Sequence, residues 1–134
     1  MRFLSVLFFA LASLAELSAR ERYTINEAWR FAQGSPYGAF LPAADDSAWP
    51  TVDIPHTWNA QDADDDEPGF YRGPAWYRKR FFLSGDAVSG QVCLCFEGVN
   101  QTACVYVNGH FAGRHAGGYT RFAVDITPFV SAGE

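Results

Sequence analysis

The chain has 134 residues, room for one domain, and its composition of 49% hydrophobic and 16% aromatic residues is that of a compact domain rather than a disordered one. Its formal net charge of -5 and its scattered basic residues give no positive stripe, so nucleic acid is excluded as an expected partner. A domain of this size buries roughly two-thirds of its unfolded surface, which is enough for a stable core if every strand of the sheet is present.

The N-terminus has the pattern of a secretory signal. Arg2 supplies the positive start, an apolar stretch covers residues 3–15, and small residues before Arg20 offer cleavage points. We predict that residues 1–19 are a signal peptide, that the mature chain begins near residue 20, and that it is exported to a periplasm or the cell exterior without further membrane contact. An uncleaved anchor is the alternative, disfavoured because the apolar run is short for a bilayer.

The mature chain alternates short apolar or aromatic runs with segments rich in Gly, Pro and Asp, which predicts an all-β domain. Asn108-Gly109 supplies the two positive-φ positions of a two-residue hairpin turn. Thr127 before Pro128 predicts a one-turn helix, and Asp46 or Ser47 is expected to cap a short helical turn. The predicted strands begin at Trp29 and continue over residues 52–54, 76–83, 91–96, the two arms of the hairpin, and 122–124.

Five sequence blocks occur in a fixed order along the mature chain. They are Trp29-Arg30-Phe31, residues 52–58 (Val-Asp-Ile-Pro-His-Thr-Trp), residues 71–79 (Tyr-Arg-Gly-Pro-Ala-Trp-Tyr-Arg-Lys), residues 96–99 with 105–109, and Gly117-Gly118-Tyr119 followed by Phe122 and residues 125–127. In this order and spacing they resemble the N-terminal sugar-binding domain of glycoside hydrolase family 2, which includes β-galactosidases, β-glucuronidases and β-mannosidases. One block alone is weak, whereas five in order are specific.

The resemblance implies a jelly-roll-like antiparallel β-sandwich over residues 20–134, similar to galactose-binding domains. In the family a further strand follows the Ser-Ala-Gly-Glu segment at residues 131–134. An immunoglobulin-like domain and a (β/α)8 barrel come next. We therefore expect a partial domain, incomplete at its C-terminal edge, from a longer enzyme whose other domains are its partners.

The resemblance also implies an exported, β-galactosidase-like hydrolase of O-glycosidic bonds in which this segment is not catalytic. Retaining hydrolysis needs two carboxyl groups about 5 Å apart. The family takes both from barrel glutamates, and Glu67, Glu97 and Asp125 do not match those motifs. The expected ligand is a β-galactoside or related glycoside, no cofactor or metal is implied, and the choice among galactoside, glucuronide and mannoside stays open.

The resemblance implies that residues 59–73, within the long connection 59–74, correspond to a family loop that reaches the sugar. Planar polar side chains bind sugar hydroxyl groups and aromatic rings stack on sugar faces. We predict that the substrate-binding residues of this loop are Asn59, Asp62, Tyr71 and Arg72. The alternatives are that its acidic residues only solvate the loop, or that they loosely hold a cation, although an EF-hand is excluded because Glu67 and Gly73 stand where its Gly and Glu belong.

The remaining Cys, His and Trp residues have structural interpretations. Cys93 and Cys95 fall on one strand face; a disulfide from one of them to Cys104 and small buried thiols are both open, the second being the commoner case. His56 and His115 match no zinc motif and are expected to pack and hydrogen-bond to loops. Core packing is favoured over a sugar-stacking platform for four aromatic residues, Trp29, Trp49, Trp58 and Trp76.

Two functions from other classes remain as alternatives. The chain could be a free-standing carbohydrate-binding module without hydrolytic activity, or a structural domain of the cell surface. Both share the predicted fold, so they differ from the hydrolase interpretation only in what accompanies the domain.

Overall fold

The computed structural model describes residues 20–59 and 70–133. Within this part of the chain the regular structure is β-strand apart from two 3₁₀ turns, Ala87–Ser89 and Thr127–Phe129, which confirms the all-β prediction. The strands are β1 (Trp29–Gln33), β2 (Thr51–Val52), β3 (Ala75–Arg78), β4 (Cys93–Phe96), β5 (Thr102–Val107), β6 (His110–Ala116) and β7 (Phe122–Asp125). The second turn carries Pro128 at its start, as the sequence predicts.

Every strand pair in the described residues is antiparallel. One sheet has the order β2-β1-β3, with Phe31 opposite Tyr77, and two ribbons are formed by β4 with β7 and by β5 with β6. Phe96 lies opposite Phe122 in the β4–β7 ribbon, and their rings stack at 4.7 Å. This arrangement agrees with the predicted antiparallel class.

The β5–β6 hairpin turns at the predicted dipeptide. Asn108 has φ 48° and Gly109 has φ 85°, so both central residues are left-handed, as a type I′ turn requires. The Asn108 side chain donates a hydrogen bond to the carbonyl of Phe129 at 2.9 Å. The hairpin tip is therefore fastened to the second 3₁₀ turn.

The interior is small. The buried hydrophobic residues among those described are Phe31, Ala39, Val124 and Ile126. The Phe31 ring packs edge-on against His56 at 4.7 Å and lies 5.0 Å from the Tyr77 ring, so the core reaches from β1 and β3 to the segment after β2. Ile126 is fully buried, and its amide donates to the carbonyl of Val92 at 2.9 Å.

A buried ion cluster joins the loop after β1 to β3. Asp46 is only 7% exposed and accepts hydrogen bonds from Arg78 Nε at 2.9 Å and from Arg80. Arg78 also donates to the carbonyls of Ala39 and Leu41. Arg78 and Arg80 both donate to Asp46, so this aspartate anchors them and is not the predicted helix cap. Asp45 instead closes a turn by accepting from the Ser47 backbone amide at 3.0 Å.

Two expectations need correction. All three cysteines are exposed and free rather than buried. The alternation along β4 turns Leu94 and Phe96 inward and therefore Cys93 and Cys95 outward, and the same alternation along β5 leaves Cys104 exposed. β3 ends at Arg78 rather than near residue 83. The four tryptophans are half-buried, which is intermediate between a packed core and an open platform.

Both histidines singled out by the sequence have the predicted structural roles. His56 Nδ1 shares a hydrogen bond of 2.9 Å with the Tyr77 hydroxyl, and burial raises the pKa of Tyr77. His115 shares one of 2.8 Å with Thr120 and stacks on Phe122 at 4.2 Å. They hold loops to strands.

Two kinds of feature are missing from residues 20–59 and 70–133. No helix there is both long and apolar enough to span a bilayer. Nor do His, Cys, Asp and Glu side chains gather there in a group of three or more that could hold a metal ion.

Candidate functional site

The structure brings three of the four predicted substrate-binding residues together. Asn59 follows β2 by several residues, and Tyr71 and Arg72 come shortly before β3. The side-chain amide of Asn59 donates a hydrogen bond to the backbone carbonyl of Tyr71 at 3.4 Å, which joins the two segments. The fourth residue, Asp62, lies outside the described residues.

Tyr71 acts as a clasp between β1 and β3. The Gly34 amide donates to the Tyr71 hydroxyl at 2.9 Å, and that hydroxyl donates to the carbonyl of Pro74 at 2.7 Å. The same Gly34 amide also donates to Pro74 at 2.8 Å. The hydroxyl therefore already has protein partners on both sides, and Tyr71 offers a ligand mainly its ring.

The glycine two residues after Tyr71 makes this clasp possible. A Cβ on Gly73 would collide with the hydroxyl and ring of Tyr71, which folds back over it. The same ring meets Trp58 edge-on at 6.4 Å, the T-shaped geometry that aromatic pairs prefer. Tyr71 and Gly73, the residues on either side of Arg72 in the sequence, thus pack against each other, and Trp58 contacts the same Tyr71 ring.

The end of β1 contributes to this cluster in a way that the sequence does not predict. Gln33 donates from its side-chain amide to the carbonyl of Trp58 at 3.4 Å. Gly34 has φ 87°, a left-handed value that glycine adopts without strain. A glycine directly after an apolar strand was the available signal, but nothing in the sequence tells which distant residue such a turn will meet.

The charges and polar atoms at this cluster leave groups free for a ligand. Arg72 is exposed, and it has no hydrogen bond or ion pair within the described residues. Asn59 Oδ1 is buried there without a hydrogen-bond partner, and buried acceptors in native proteins nearly always have one. The exposed guanidinium of Arg72 suits a ligand that carries hydroxyl or carboxylate groups, whereas Asn59 Oδ1 is itself buried.

The chemistry of these side chains is that of binding. The Asn59 side-chain amide donates and accepts hydrogen bonds and the Arg72 guanidinium donates them, but at neutral pH neither group attacks an acetal carbon nor supplies a proton to a leaving group. We call Asn59, Tyr71 and Arg72 the Asn59–Arg72 site.

Comparison with known proteins gives a consistent family relationship. Residues 23–134 match the family described as glycosyl hydrolases family 2, sugar binding domain. A putative β-glucuronidase of Formosa agariphila is 40% identical over 117 residues, which cover 87% of this chain and 14% of that protein. A β-galactosidase of Bacteroides ovatus is 33% identical over 129 residues, covering 90% of this chain and 15% of that protein.

A solved structure supports the same relationship. The crystal structure of a Bacteroides uniformis β-glucuronidase superposes with a TM-score of 0.75 at 41% identity and covers 81% of this chain and 13% of that one. The chain thus spans about one-seventh of the length of the curated relatives it matches, 14% of one and 15% of another.

Proposed function

The chain belongs to glycosyl hydrolase family 2 as its sugar-binding domain, and from this premise we propose that it is the non-catalytic, sugar-contacting part of an exported retaining β-glycosidase. Export rests on the signal pattern of residues 1–19. In this proposal the two reacting carboxyl groups come from another domain of the same enzyme, and immunoglobulin-like and barrel domains are the partners of this one.

The observation that carries the proposal is the Asn59–Tyr71 hydrogen bond of 3.4 Å. It joins Asn59 to the segment that carries the exposed Arg72, inside a domain whose family binds sugars. A site that is held in place before binding loses little conformational freedom when the sugar arrives. Asp62 remains a proposed fourth contact.

A terminal β-glucuronide is the proposed substrate. Relatives named β-glucuronidase that are matched over more than four-fifths of this chain reach 40% and 41% identity. The exposed Arg72 fits a uronate, because guanidinium groups bind carboxylates with two parallel hydrogen bonds. A β-galactoside is the second candidate, favoured by relatives of that name at 33% and 34% identity.

A domain exchange tests the proposal. Residues 23–133 would replace the aligned segment of the Bacteroides uniformis β-glucuronidase, and hydrolysis of nitrophenyl β-glucuronide and nitrophenyl β-galactoside would be measured. We expect the isolated chain to hydrolyse neither and the folded chimera to hydrolyse the glucuronide.

The variant Arg72→Ala in the chimera tests the contribution of this one side chain to substrate binding. We expect it to raise KM about tenfold or more with a smaller change in kcat, since a charged hydrogen bond is lost from substrate binding. Arg114→Ala, which removes an exposed arginine from β6, is the matched control and is expected to change neither. A folded chimera without activity, or equal effects of the two variants, would contradict the proposal.

A further inference from the structure

A second surface of the domain has the character of a ligand site. Tyr119, between β6 and β7, is fully exposed at 100%. A single exposed aromatic ring is ordinary. This ring is unusual because the residues on both sides of it are fixed.

The backbone around Tyr119 is held at three points. The Gly117 amide donates to the carbonyl of Gln101 at 2.7 Å, and His115 and Thr120 share a hydrogen bond of 2.8 Å across the loop. A Cβ on Gly118 would lie 3.3 Å from Asn100 Oδ1, so the glycine packs directly on the connection between β4 and β5. The ring is therefore presented to solvent from a fixed base.

Three polar side chains, Glu97, Asn100 and Arg121, lie on this loop or on the segment after β4 that contacts it. Arg121 donates to one carboxylate oxygen of Glu97 at 3.3 Å. Their side chains stay 69% and 87% exposed, so the other carboxylate oxygen and most guanidinium hydrogens remain available. Asn100, also exposed, has no hydrogen bond within the described part of the chain.

We propose that this surface is a second carbohydrate contact that takes a pyranose ring of a neutral oligosaccharide. The sugar face stacks on Tyr119, and the sugar hydroxyl groups donate to Glu97, accept from Arg121 and do both with Asn100. Glu97 and Arg121 cancel in charge, which favours a neutral sugar over a uronate. The proposal rests on the sugar-binding family of the chain and shares no residue with the Asn59–Arg72 site. We call its members the Tyr119 site: Glu97, Asn100, Tyr119 and Arg121.

Frontal affinity chromatography of the whole chain on immobilised lactose tests this inference. Tyr119→Ala is expected to weaken retention by roughly tenfold, the upper range of what an aromatic contact contributes, whereas Tyr119→Phe keeps the ring and retains binding. Tyr37→Ala is the matched control, since Tyr37 is equally exposed on another loop. Both residues are exposed, so thermal unfolding is expected to stay unchanged and a binding loss reports on the ligand.

The opposite results separate this inference from the proposed function. No retention of the wild-type chain, unchanged retention of Tyr119→Ala, or equal loss in Tyr37→Ala overturns the Tyr119 site. If Arg72→Ala abolishes retention while Tyr119→Ala leaves it intact, lactose binds at the Asn59–Arg72 site, and the Tyr119 inference fails while the proposed function stands.

Discussion

Replacing Asp46 with alanine is expected to lower the free energy of unfolding by about 3 kcal/mol. Removing one partner of a buried ion pair costs roughly 3–5 kcal/mol, because the other charge is left uncompensated. The lower end applies because Arg78 keeps its bonds to the carbonyls of Ala39 and Leu41, and Arg80, 62% exposed, can turn to water. Domains are stable by about 5–15 kcal/mol, so the loss is a large fraction.

Urea unfolding followed by tryptophan fluorescence measures this loss, since the Trp49 ring lies 6.0 Å from the Arg78 guanidinium carbon. The midpoint is expected to fall by about 1–3 M urea. Glu97→Ala is the control within the same chain, because its ion pair with Arg121 is exposed and such pairs contribute about 0–1 kcal/mol. If Asp46→Ala loses no more stability than Glu97→Ala, the ion cluster does not anchor the loop.

The ion cluster of Asp46, Arg78 and Arg80 makes the stability of the domain depend on pH. Burial raises the pKa of Asp46, but hydrogen bonds and charges from Arg80 and Arg78 together outweigh it, and the pKa lies below its usual value of 3.8. The stabilisation is therefore complete above the unfolded pKa and is lost as the pH falls through the lower folded pKa. Asp46→Asn is expected to remove this acid-dependent part of the stability curve, and an unchanged curve would refute the assignment.

Three further predictions concern other parts of the domain. Gly73→Ala is expected to destabilise the domain by about 1–3 kcal/mol, because the new Cβ collides with Tyr71. Gly85→Ala is the control in thermal unfolding, since Gly85 has open space around it, and equal melting temperatures of the two variants would contradict the packing of Tyr71 over Gly73. The pKa of Asp125 is lowered by hydrogen bonds from the Thr127 side chain, the Gln91 side chain and the Thr127 backbone amide. Thr127→Ala is therefore expected to raise the pKa of Asp125 in an NMR titration of the carboxyl group, and an unchanged pKa would count against these bonds. All three cysteine thiols are exposed, so maleimide is expected to label each without denaturant, and protection of any one would show that it is covered.

Local features of this fold were predictable because they depend on neighbouring residues. Alternating apolar runs give strands, and Asn108-Gly109 fixes its own backbone geometry, which the φ values of 48° and 85° confirm. The resemblance to the family supplied the sandwich class. Strand ends were less predictable, since β3 ends at Arg78, where its pairing with β1 ends at Arg30.

Distant pairings were not predictable. Asp46 lies 32 residues from Arg78 in the sequence, and a cap was the local interpretation of the same aspartate. Tyr71 was predicted to bind a ligand, yet its hydroxyl bonds to Gly34, 37 residues away. Side-chain partners of this kind follow from how the strands stack, which short-range patterns do not contain.

The cysteines show a related difficulty. The period of two puts Cys93 and Cys95 on one face of β4, but it does not say which face is inside. The inward placement of Leu94 and Phe96 decides it. Weighing the larger apolar residues of the strand against the smaller cysteines would have given the observed orientation.

The central claim is that the Asn59–Arg72 site binds the sugar. An NMR titration of the isotope-labelled chain with methyl β-D-glucuronide tests it by following the backbone amides of Asn59, Tyr71 and Arg72 and those of the Ala87–Ser89 turn as an internal control. We expect the first group to shift in a saturable way and the turn to stay unchanged. Absence of any saturable shift at the first group, with the chain folded, would contradict the account.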